Sequence, residues 1–310
     1  MSEQKTETLR LKKISNVSIE SIIGNTLLSA AKITTGIFAG SLGVLGDGID
    51  SLGDILSSTL TLVTSKIISH PPDQRFPYGR QRADTVASKI LAFIIFFFGA
   101  QLSYNTFLSF FSYQERPAPH IFAIVVTFAS VIIKFILSRR LSKVGKETRS
   151  AMLITNSKNM QGDIVISLFV LLGLFFSIFI NMGMIDLITA FVVGLWIMRT
   201  AIKVFMETNV ELMDGLEDQE VYYKVFDAVD SVPGAHNPHR TRIRKFSCSY
   251  IIDLDIEVDG QLSITEGHEI SRLVEVRIKQ NLENVYDIMI HLEPLGNKEK
   301  ERFGLTREKL

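Results

Sequence analysis

Apolar residues dominate the first two thirds of the chain, in runs that are too long for an ordinary soluble core. Residues 90–98 read ILAFIIFFF, and residues 164–180 read IVISLFVLLGLFFSIFI. A helix that crosses a bilayer needs about 20 mostly apolar residues. Six stretches meet this need, and they are 15–39, 42–68, 87–112, 120–140, 150–180 and 186–208. The pattern predicts a membrane domain of six transmembrane helices over residues 15–208, preceded by an arm of residues 1–14.

The rest of the chain has the shorter periodicities of a soluble domain. The predicted elements are, in order, a helix over 217–232, strands over 239–247 and 249–258, a helix over 263–282 and a strand over 285–294. We expect the second of these helices to open at Ser263 or Thr265, with acidic residues in its first turn. The order αββαβ predicts a small open sheet with two helices on one face. This domain is assigned residues 209–295, and a charged tail of residues 296–310 follows it.

Basic residues mark one side of the predicted spans. They lie in the arm and in the loops after the second and fourth spans, as Lys5, Arg10, Lys12, Lys13, Arg75, Arg80, Arg82, Arg139, Arg140, Lys143, Lys146 and Arg149. The opposite loops hold little that is basic beyond Arg116. Since short cytoplasmic loops carry the excess of Lys and Arg, both termini and the soluble domain are expected in the cytoplasm.

Composition adds two points to this picture. The formal net charge is zero, and the single Cys248 lies in the soluble domain, which fits a reducing compartment. We therefore expect a multi-pass protein of the plasma or inner membrane, in contact with lipid and without a nucleic-acid partner.

Three aspartates interrupt the second predicted span, in the stretch LGDGIDSLGD. Asp50 and Asp54 are four residues apart, so a helix places both carboxylates on one face, and Asp47 falls on the same stripe. Carboxylates this close repel one another and are costly in a medium of low dielectric constant. A bound divalent cation would compensate for that cost, and ionisable residues inside a membrane usually mark a functional site.

The fifth predicted span carries a matching polar pair, Asn159 and Asp163, again four residues apart. Facing helices could offer Asp50, Asp54, Asn159 and Asp163 to one ion, as three carboxylates and one amide oxygen. Asp47 has two interpretations, a further ligand or a cap at the start of its helix. Asn159 also has a second interpretation, as a polar contact between helices.

These motifs resemble those of the cation diffusion facilitator family. The resemblance rests on DSLGD in the second span, the polar pair in the fifth, the six spans, the loop HPPDQRFPYGRQRADTVAS and the soluble domain of about 85 residues. It implies a homodimeric transporter of divalent metal ions with a cytoplasmic domain of metallochaperone-like fold. It also implies that the two polar pairs form the transport site.

The resemblance extends to the soluble domain and to the dimer. Some members hold a regulatory metal ion in this domain, at positions that correspond here to His236, Asp255, His268, His291 and Glu293. The alternative is that these five are surface residues at the ends of strands. The family's dimer is held partly by a charge pair, which corresponds here to Arg82 and Asp214.

Two departures from the family pattern bear on the metal. Members that transport zinc or cadmium usually have a histidine at the position of Asn159, and a site with oxygen ligands alone suits harder ions. We therefore expect Mn²⁺ as the substrate, with Zn²⁺ as the alternative and with Fe²⁺ and Cd²⁺ also compatible.

Some zinc members bind metal in the loop after the second span, but only His70 and Asp73 remain there as candidate ligands. No firm metal site is expected in that loop.

Three classes of function are compatible with aspartates in a membrane. The first is a secondary active transporter that exports Mn²⁺ in exchange for protons. Such a protein is not an enzyme and needs no catalytic cofactor. No nucleotide-binding loop of the form GxxxxGK[ST] occurs, which argues against an ATP-driven pump. The second is a phospholipid phosphotransferase, whose signature needs an Ala-Arg pair where this chain has Ile49 and Asp50. The third is a channel or sensor, but tight ion binding suits a carrier better than a channel.

Overall fold

The computed structural model describes residues 2–111, 117–148, 150–246, 249–297 and 303–307, with side chains undescribed for 2–12, 14, 151 and 152. Arg116, Arg149 and Cys248 lie outside the described residues, as does most of the predicted tail. The chain divides into two compact units. The first comprises Met1–Val63 and Ile90–Phe205, and the second comprises Thr64–Lys89 and Met206–Leu310.

Six long helices account for the apolar part of the chain. They are α1 (Ser2–Phe38), α2 (Leu42–Ile68), α3 (Arg82–Phe110), α4 (Phe122–Thr148), α5 (Ala151–Phe179) and α6 (Gly183–Leu212). The predicted set of six helices is confirmed, and α1 begins within the residues predicted as a separate arm. Among the described residues, four helices are apolar and long enough to cross a membrane on length and composition alone, namely α3 to α6. Helices α1 and α2 carry more polar residues, including the three aspartates of α2.

The first unit has apolar cores where its helices meet. One core joins α2, α3, α5 and α6, and its central side chains are Val44, Leu102, Val170, Val193 and Ile197. A second core joins α1, α4 and α5 through Val17, Leu141, Leu153 and Met160. Small polar residues reinforce the contact of α4 with α5, where Ser138 Oγ and Ser157 Oγ each donate to the other residue's carbonyl at 3.1 and 3.0 Å. Such pairs are typical of helix packing in membranes.

The second unit contains the soluble fold. Its elements are α7 (Glu220–Asp230), β1 (His236–Phe246), β2 (Ser249–Val258), α8 (Ile264–Asn281) and β3 (Val285–Pro294), which confirms the predicted order αββαβ. The sheet order is β1-β2-β3, with β1 antiparallel and β3 parallel to the central strand β2. Alternate residues of β2 face one core together with α7 and α8, so both helices cover the same face. The core side chains from these three elements include Ile252, Leu254, Ile256, Val225, Phe226, Val274 and Ile278.

Helix α8 opens with a capping box. Ser263 is its N-cap, Ser263 Oγ accepts from the Glu266 backbone N–H, and the Glu266 carboxylate accepts from the Ser263 N–H in return. Of the two predicted openings, Ser263 is therefore the one found. Hydrogen bonds from the side chain and the backbone of Ser263 lower the pKa of Glu266.

Candidate metal centre

Aspartates from α2 and α5 come together inside the first unit. The carboxylates of Asp54 and Asp163 are near enough for a side-chain hydrogen bond between them, and Asp50 interacts electrostatically with both. Asp54 Oδ2 is buried, and no hydrogen-bond donor in the described part of the chain reaches it. A buried carboxylate oxygen without a donor is costly, and a bound cation would remove that cost.

Asn159 lies one helical turn before Asp163 on α5, where its side chain is exposed. The spacing of four residues places the two side chains on the same side of the helix. Of the four residues predicted for the transport site, the structure therefore brings the three aspartates together and places the amide at the edge of the group.

Asp47 has a different environment from Asp50 and Asp54. It is fully buried, and its Oδ2 lies 2.8 Å from Lys32 Nζ of α1, whose side chain is also fully buried. Ser167 Oγ donates to Asp47 Oδ1 at 2.8 Å, and Lys32 Nζ donates to Ser167 Oγ at 3.0 Å. The three side chains thus form a closed polar group among α1, α2 and α5.

The close approach of α1 to α2 makes this group possible. Gly48 has no side chain, and a Cβ there would lie 2.8 Å from Ile33 Cγ1 and 3.0 Å from the Ile33 backbone nitrogen. At the same contact between α1 and α2, Ser29 Oγ donates a hydrogen bond to the Gly48 carbonyl at 3.0 Å. Glycine at this position therefore lets Lys32 reach Asp47.

The start of α2 is capped by a residue that the sequence did not indicate. Asp186 of α6 accepts from Ser41 Oγ at 2.6 Å and from the Leu42 backbone N–H at 2.8 Å. An acidic group is favourable at a helix N-terminus, where backbone N–H groups lack partners. The alternative that Asp47 caps α2 is wrong, because Asp47 lies inside the helix and Asp186 supplies the cap.

Two buried lysines accompany the aspartates, and sequence reasoning missed both. Lys134 of α4 is fully buried, with its Nζ 3.2 Å from Asp163 Oδ2, and Lys32 is paired with Asp47. Their signal was available, since each is a single cation in an apolar run, AAKITTGIF and VIIKFIL. If all six side chains are ionised, four aspartates (Asp47, Asp50, Asp54, Asp163) and two lysines (Lys32, Lys134) have a formal net charge of −2, equal and opposite to that of one divalent cation.

The second unit contains a tighter group of ligand atoms. His239 of β1, Asp255 of β2 and Glu293 of β3 are all buried, and one ligand atom of each lies within 4.8 Å of the other two. His239 Nε2 is 3.2 Å from Glu293 Oε2, while His239 Nδ1 lies 2.7 Å from the Asn237 carbonyl, which orients the ring. One imidazole and two carboxylates in this arrangement could hold a divalent ion.

Charged and polar neighbours already surround this group. Arg240 Nη1 lies 2.8 Å from Asp255 Oδ2. Burial alone would raise the pKa of Glu293, but hydrogen bonds from Asn297 and His239 outweigh it and lower that pKa. Glu293 is therefore ionised in the neutral range, as a metal ligand must be.

Five residues of the soluble domain were predicted as ligands, and the structure gathers only two of them in this group, Asp255 and Glu293. His291 is exposed on β3 with its Nε2 3.7 Å from Glu293 Oε1, and His236 and His268 are exposed on β1 and α8. His239, to which the sequence assigned no role, supplies the imidazole. It lies directly across from Asp255 in the β1–β2 pairing, whose register shifts at two places.

Arg82 and Asp214 are in contact within one chain, and both belong to the second unit. Arg82 Nη1 also donates to the carbonyls of Glu211 and Leu212 at 3.2 and 3.1 Å, and Thr85 Oγ1 donates to Glu211 Oε1 at 2.7 Å. The predicted pair therefore fixes the start of α3 to the end of α6. Its role in a dimer stays a prediction.

The loop between α2 and α3 is held by its own side chains. Asp73 Oδ1 accepts from the backbone N–H groups of Arg75 and Phe76 at 2.9 and 2.8 Å, and Arg80 pairs with the same carboxylate. The backbone hydrogen bond from Phe76, followed by the one from Arg80, lowers the pKa of Asp73. His70 Nδ1 lies 2.8 Å from the Lys66 carbonyl. Both candidate ligands in this loop thus have local hydrogen-bond partners.

Comparison with known proteins accounts for both units. Residues 18–213 match the family model described as cation efflux transmembrane domain, and residues 218–295 match the one described as cation efflux protein, cytoplasmic domain. The chain is 30% identical over 290 residues to the manganese efflux system protein MneS of Bacillus subtilis, covering 93% of this chain and 98% of that protein. It is 26% identical over 284 residues to MneP of the same organism, covering 90% of this chain and 95% of MneP.

Among solved structures, the metal-bound C-terminal domain of the CzcD transporter from Thermotoga maritima is 39% identical to the matching segment of this chain. The match covers 26% of this chain and 93% of that domain, with a TM-score of 0.25. Family models that match most of both units decide the assignment, and they make the protein a multi-pass membrane transporter and not an enzyme. The chain belongs to the cation efflux family, also called the cation diffusion facilitators.

Proposed function

We propose that this transporter exports Mn²⁺ from the cytoplasm, in exchange for protons, through Asp50, Asp54, Asn159 and Asp163. The observation that carries the proposal is the meeting of three carboxylates from α2 and α5, with Asn159 one turn away. Every ligand in this set is an oxygen atom. Carboxylate, carbonyl and water ligands suit Mn²⁺, whereas imidazole favours zinc and its neighbours.

Several observations support the choice of ion and the direction of transport. Two relatives of nearly full length, MneS and MneP, are named for manganese efflux. Zn²⁺ is the second candidate, because it also binds carboxylates and has the higher affinity for most sites. Carboxylates that release a divalent ion can accept protons in its place, which supports proton exchange. The basic loops support a cytoplasmic location for both termini, and the family resemblance supports a homodimer.

Replacing Asn159 with histidine is expected to move the transport preference from Mn²⁺ towards Zn²⁺ by about ten- to thirtyfold. The physical reason is that an imidazole nitrogen benefits Zn²⁺ more than Mn²⁺, and that two aspartate pairs completed by one histidine suit a tetrahedral ion. The measurement is the ratio of Mn²⁺ to Zn²⁺ flux in proteoliposomes, for both proteins at one pH.

Gln161→His is the matched control, because Gln161 is also exposed on α5 but points about 200° away from Asn159 around the helix. It should leave the flux ratio unchanged. A wild-type protein that prefers Zn²⁺ would contradict the manganese assignment. An unchanged ratio in the Asn159→His variant would contradict the role of Asn159 as a ligand.

The buried group of the second unit is proposed as a regulatory metal site, with His239, Asp255 and Glu293 as its ligands. A metal ion that binds only the folded state stabilises it by about 2.7 kcal/mol at a hundredfold excess over its dissociation constant. Mn²⁺ and Zn²⁺ should therefore raise the thermal midpoint of the full-length Asp54→Asn protein, in which the membrane site is disabled. Adding His239→Gln should abolish most of that rise.

His268→Gln is the control for this experiment, since His268 is exposed on α8. It should retain the full stabilisation. If His268→Gln abolishes the rise while His239→Gln preserves it, the ligand set predicted from the sequence is the better one. If no metal raises the midpoint, the group is a structural polar cluster.

A further inference from the structure

We propose that Lys134 is a tethered counter-cation, which holds Asp163 when the transport site is empty and competes with the transported ion for that carboxylate. The inference rests on the proposed transport site but not on the identity of its metal. Its basis is one contact: Lys134 Nζ lies 3.2 Å from Asp163 Oδ2, and the lysine side chain has an exposed fraction of 0%. A fully buried ammonium group must have an anionic partner, and here that partner is a proposed metal ligand.

The surroundings of Lys134 are dominated by the site itself. It interacts electrostatically with the four aspartates Asp163, Asp54, Asp47 and Asp50, and the neighbouring cation Lys32 repels it. The two lysines differ in their contacts. Lys32 donates to Ser167 and forms an ion pair with Asp47 within the closed polar group, whereas Lys134 donates to the ligand carboxylate of Asp163.

The spacing of the ligands agrees with this role. In the described part of the chain, the group of three ligand atoms within 4.8 Å of one another is the one of His239, Asp255 and Glu293, so Asp50, Asp54 and Asp163 are more widely spaced as a set of three, although Asp54 and Asp163 are close to each other. A divalent ion bound between Asp163 and Asp54 must share the Asp163 carboxylate with Lys134 or displace the ammonium group. Lysine has a flexible four-carbon stem, which lets its ammonium group withdraw without movement of the helix.

A competing cation next to the site has a clear consequence for transport. The positive charge of Lys134 repels the incoming ion, so it lowers the affinity of the loaded state and stabilises the empty one. A carrier must release its ion in each cycle, and an acidic site without such a competitor would retain the ion. Lys134 acts here as a positioning residue for Asp163, not as a ligand.

The test is the kinetics of Mn²⁺ flux in proteoliposomes that contain the full chain. Lys134→Gln removes the charge but keeps a polar side chain of similar length, so KM should fall at least tenfold and kcat should fall with it. Lys158→Gln is the control, because Lys158 is exposed on α5, and it should match the wild type. A purely structural role would reduce the amount of folded protein and leave KM unchanged, which would overturn the proposal.

The conservative variant gives an independent test if Lys134→Gln does not fold. The planar guanidinium group of Lys134→Arg can hold Asp163 with two hydrogen bonds, so KM should rise at least threefold. A KM that stays the same or falls would overturn the proposal. Both shifts in KM are expected for whichever divalent ion the wild type transports. If manganese is the wrong ion, the wild type will prefer another divalent ion. If Lys134 has no such role, only the KM values of the variants will differ from those expected.

Discussion

Replacing Asp54 with asparagine is expected to lower Mn²⁺ flux at least about hundredfold, equivalent to about 2.7 kcal/mol. The amide has nearly the shape of the carboxylate but lacks its charge, and Asp54 Oδ2 is a buried oxygen that no donor in the described residues reaches. Loss of an outer-shell partner alone typically costs a metal site ten- to a hundredfold in affinity, so loss of an anionic ligand should cost at least as much. The measurement is saturable Mn²⁺ uptake into inside-out membrane vesicles.

Asp186→Asn is the matched control, since Asp186 is also a buried carboxylate among the membrane helices. Its amide oxygen can still accept from Ser41 or Leu42, so flux per folded molecule should stay within about threefold of the wild type. Equal losses in both variants would mean that transport depends on buried carboxylates in general and would contradict the assignment of Asp54.

Replacing Lys32 with methionine is expected to destabilise the protein by about 3–5 kcal/mol. The variant leaves the Asp47 carboxylate buried without its cation, and an uncompensated buried charge is among the most costly single changes. The effect should appear as a large fall in the thermal midpoint of the detergent-solubilised protein.

A second substitution at Asp47 tests the cause of that loss. In Lys32→Met combined with Asp47→Asn, no charge remains, and the amide oxygen can accept the hydrogen bond that Ser167 gives to Asp47. We expect the double variant to recover more than half of the lost stability, since removing both partners costs less than removing one. Strictly additive losses would show that the two residues do not act as a pair.

The sequence predicted the fold closely, because each element has a strong local pattern. The runs of apolar residues gave six helices, and strands β2 and β3 begin and end at the predicted residues, 249–258 and 285–294. Strand β1 was less accurate, since it starts at His236 and not at 239. Its pairing with β2 has two register shifts near His239, and a simple alternation of polar and apolar residues cannot predict such irregularities.

The candidate sites were predicted in part, and the limits have physical causes. The aspartate pairs could be found because a spacing of four residues places them on one face of a helix. The buried lysines have no such spacing, since Lys32 and Lys134 each pair with a residue on another helix. His239 was missed for a similar reason, because its approach to Asp255 and Glu293 depends on the register of three strands.

The central claim is that the ion crosses at the membrane aspartates, while the cytoplasmic group only regulates transport. One comparison tests it most directly, namely saturable Mn²⁺ flux in proteoliposomes of the wild type, Asp54→Asn and His239→Gln at equal amounts of folded protein. The account predicts that Asp54→Asn loses at least about 99% of the flux, as the hundredfold effect requires, and that His239→Gln keeps a measurable flux with altered metal dependence. Full flux in Asp54→Asn, together with its loss in His239→Gln, would contradict the account.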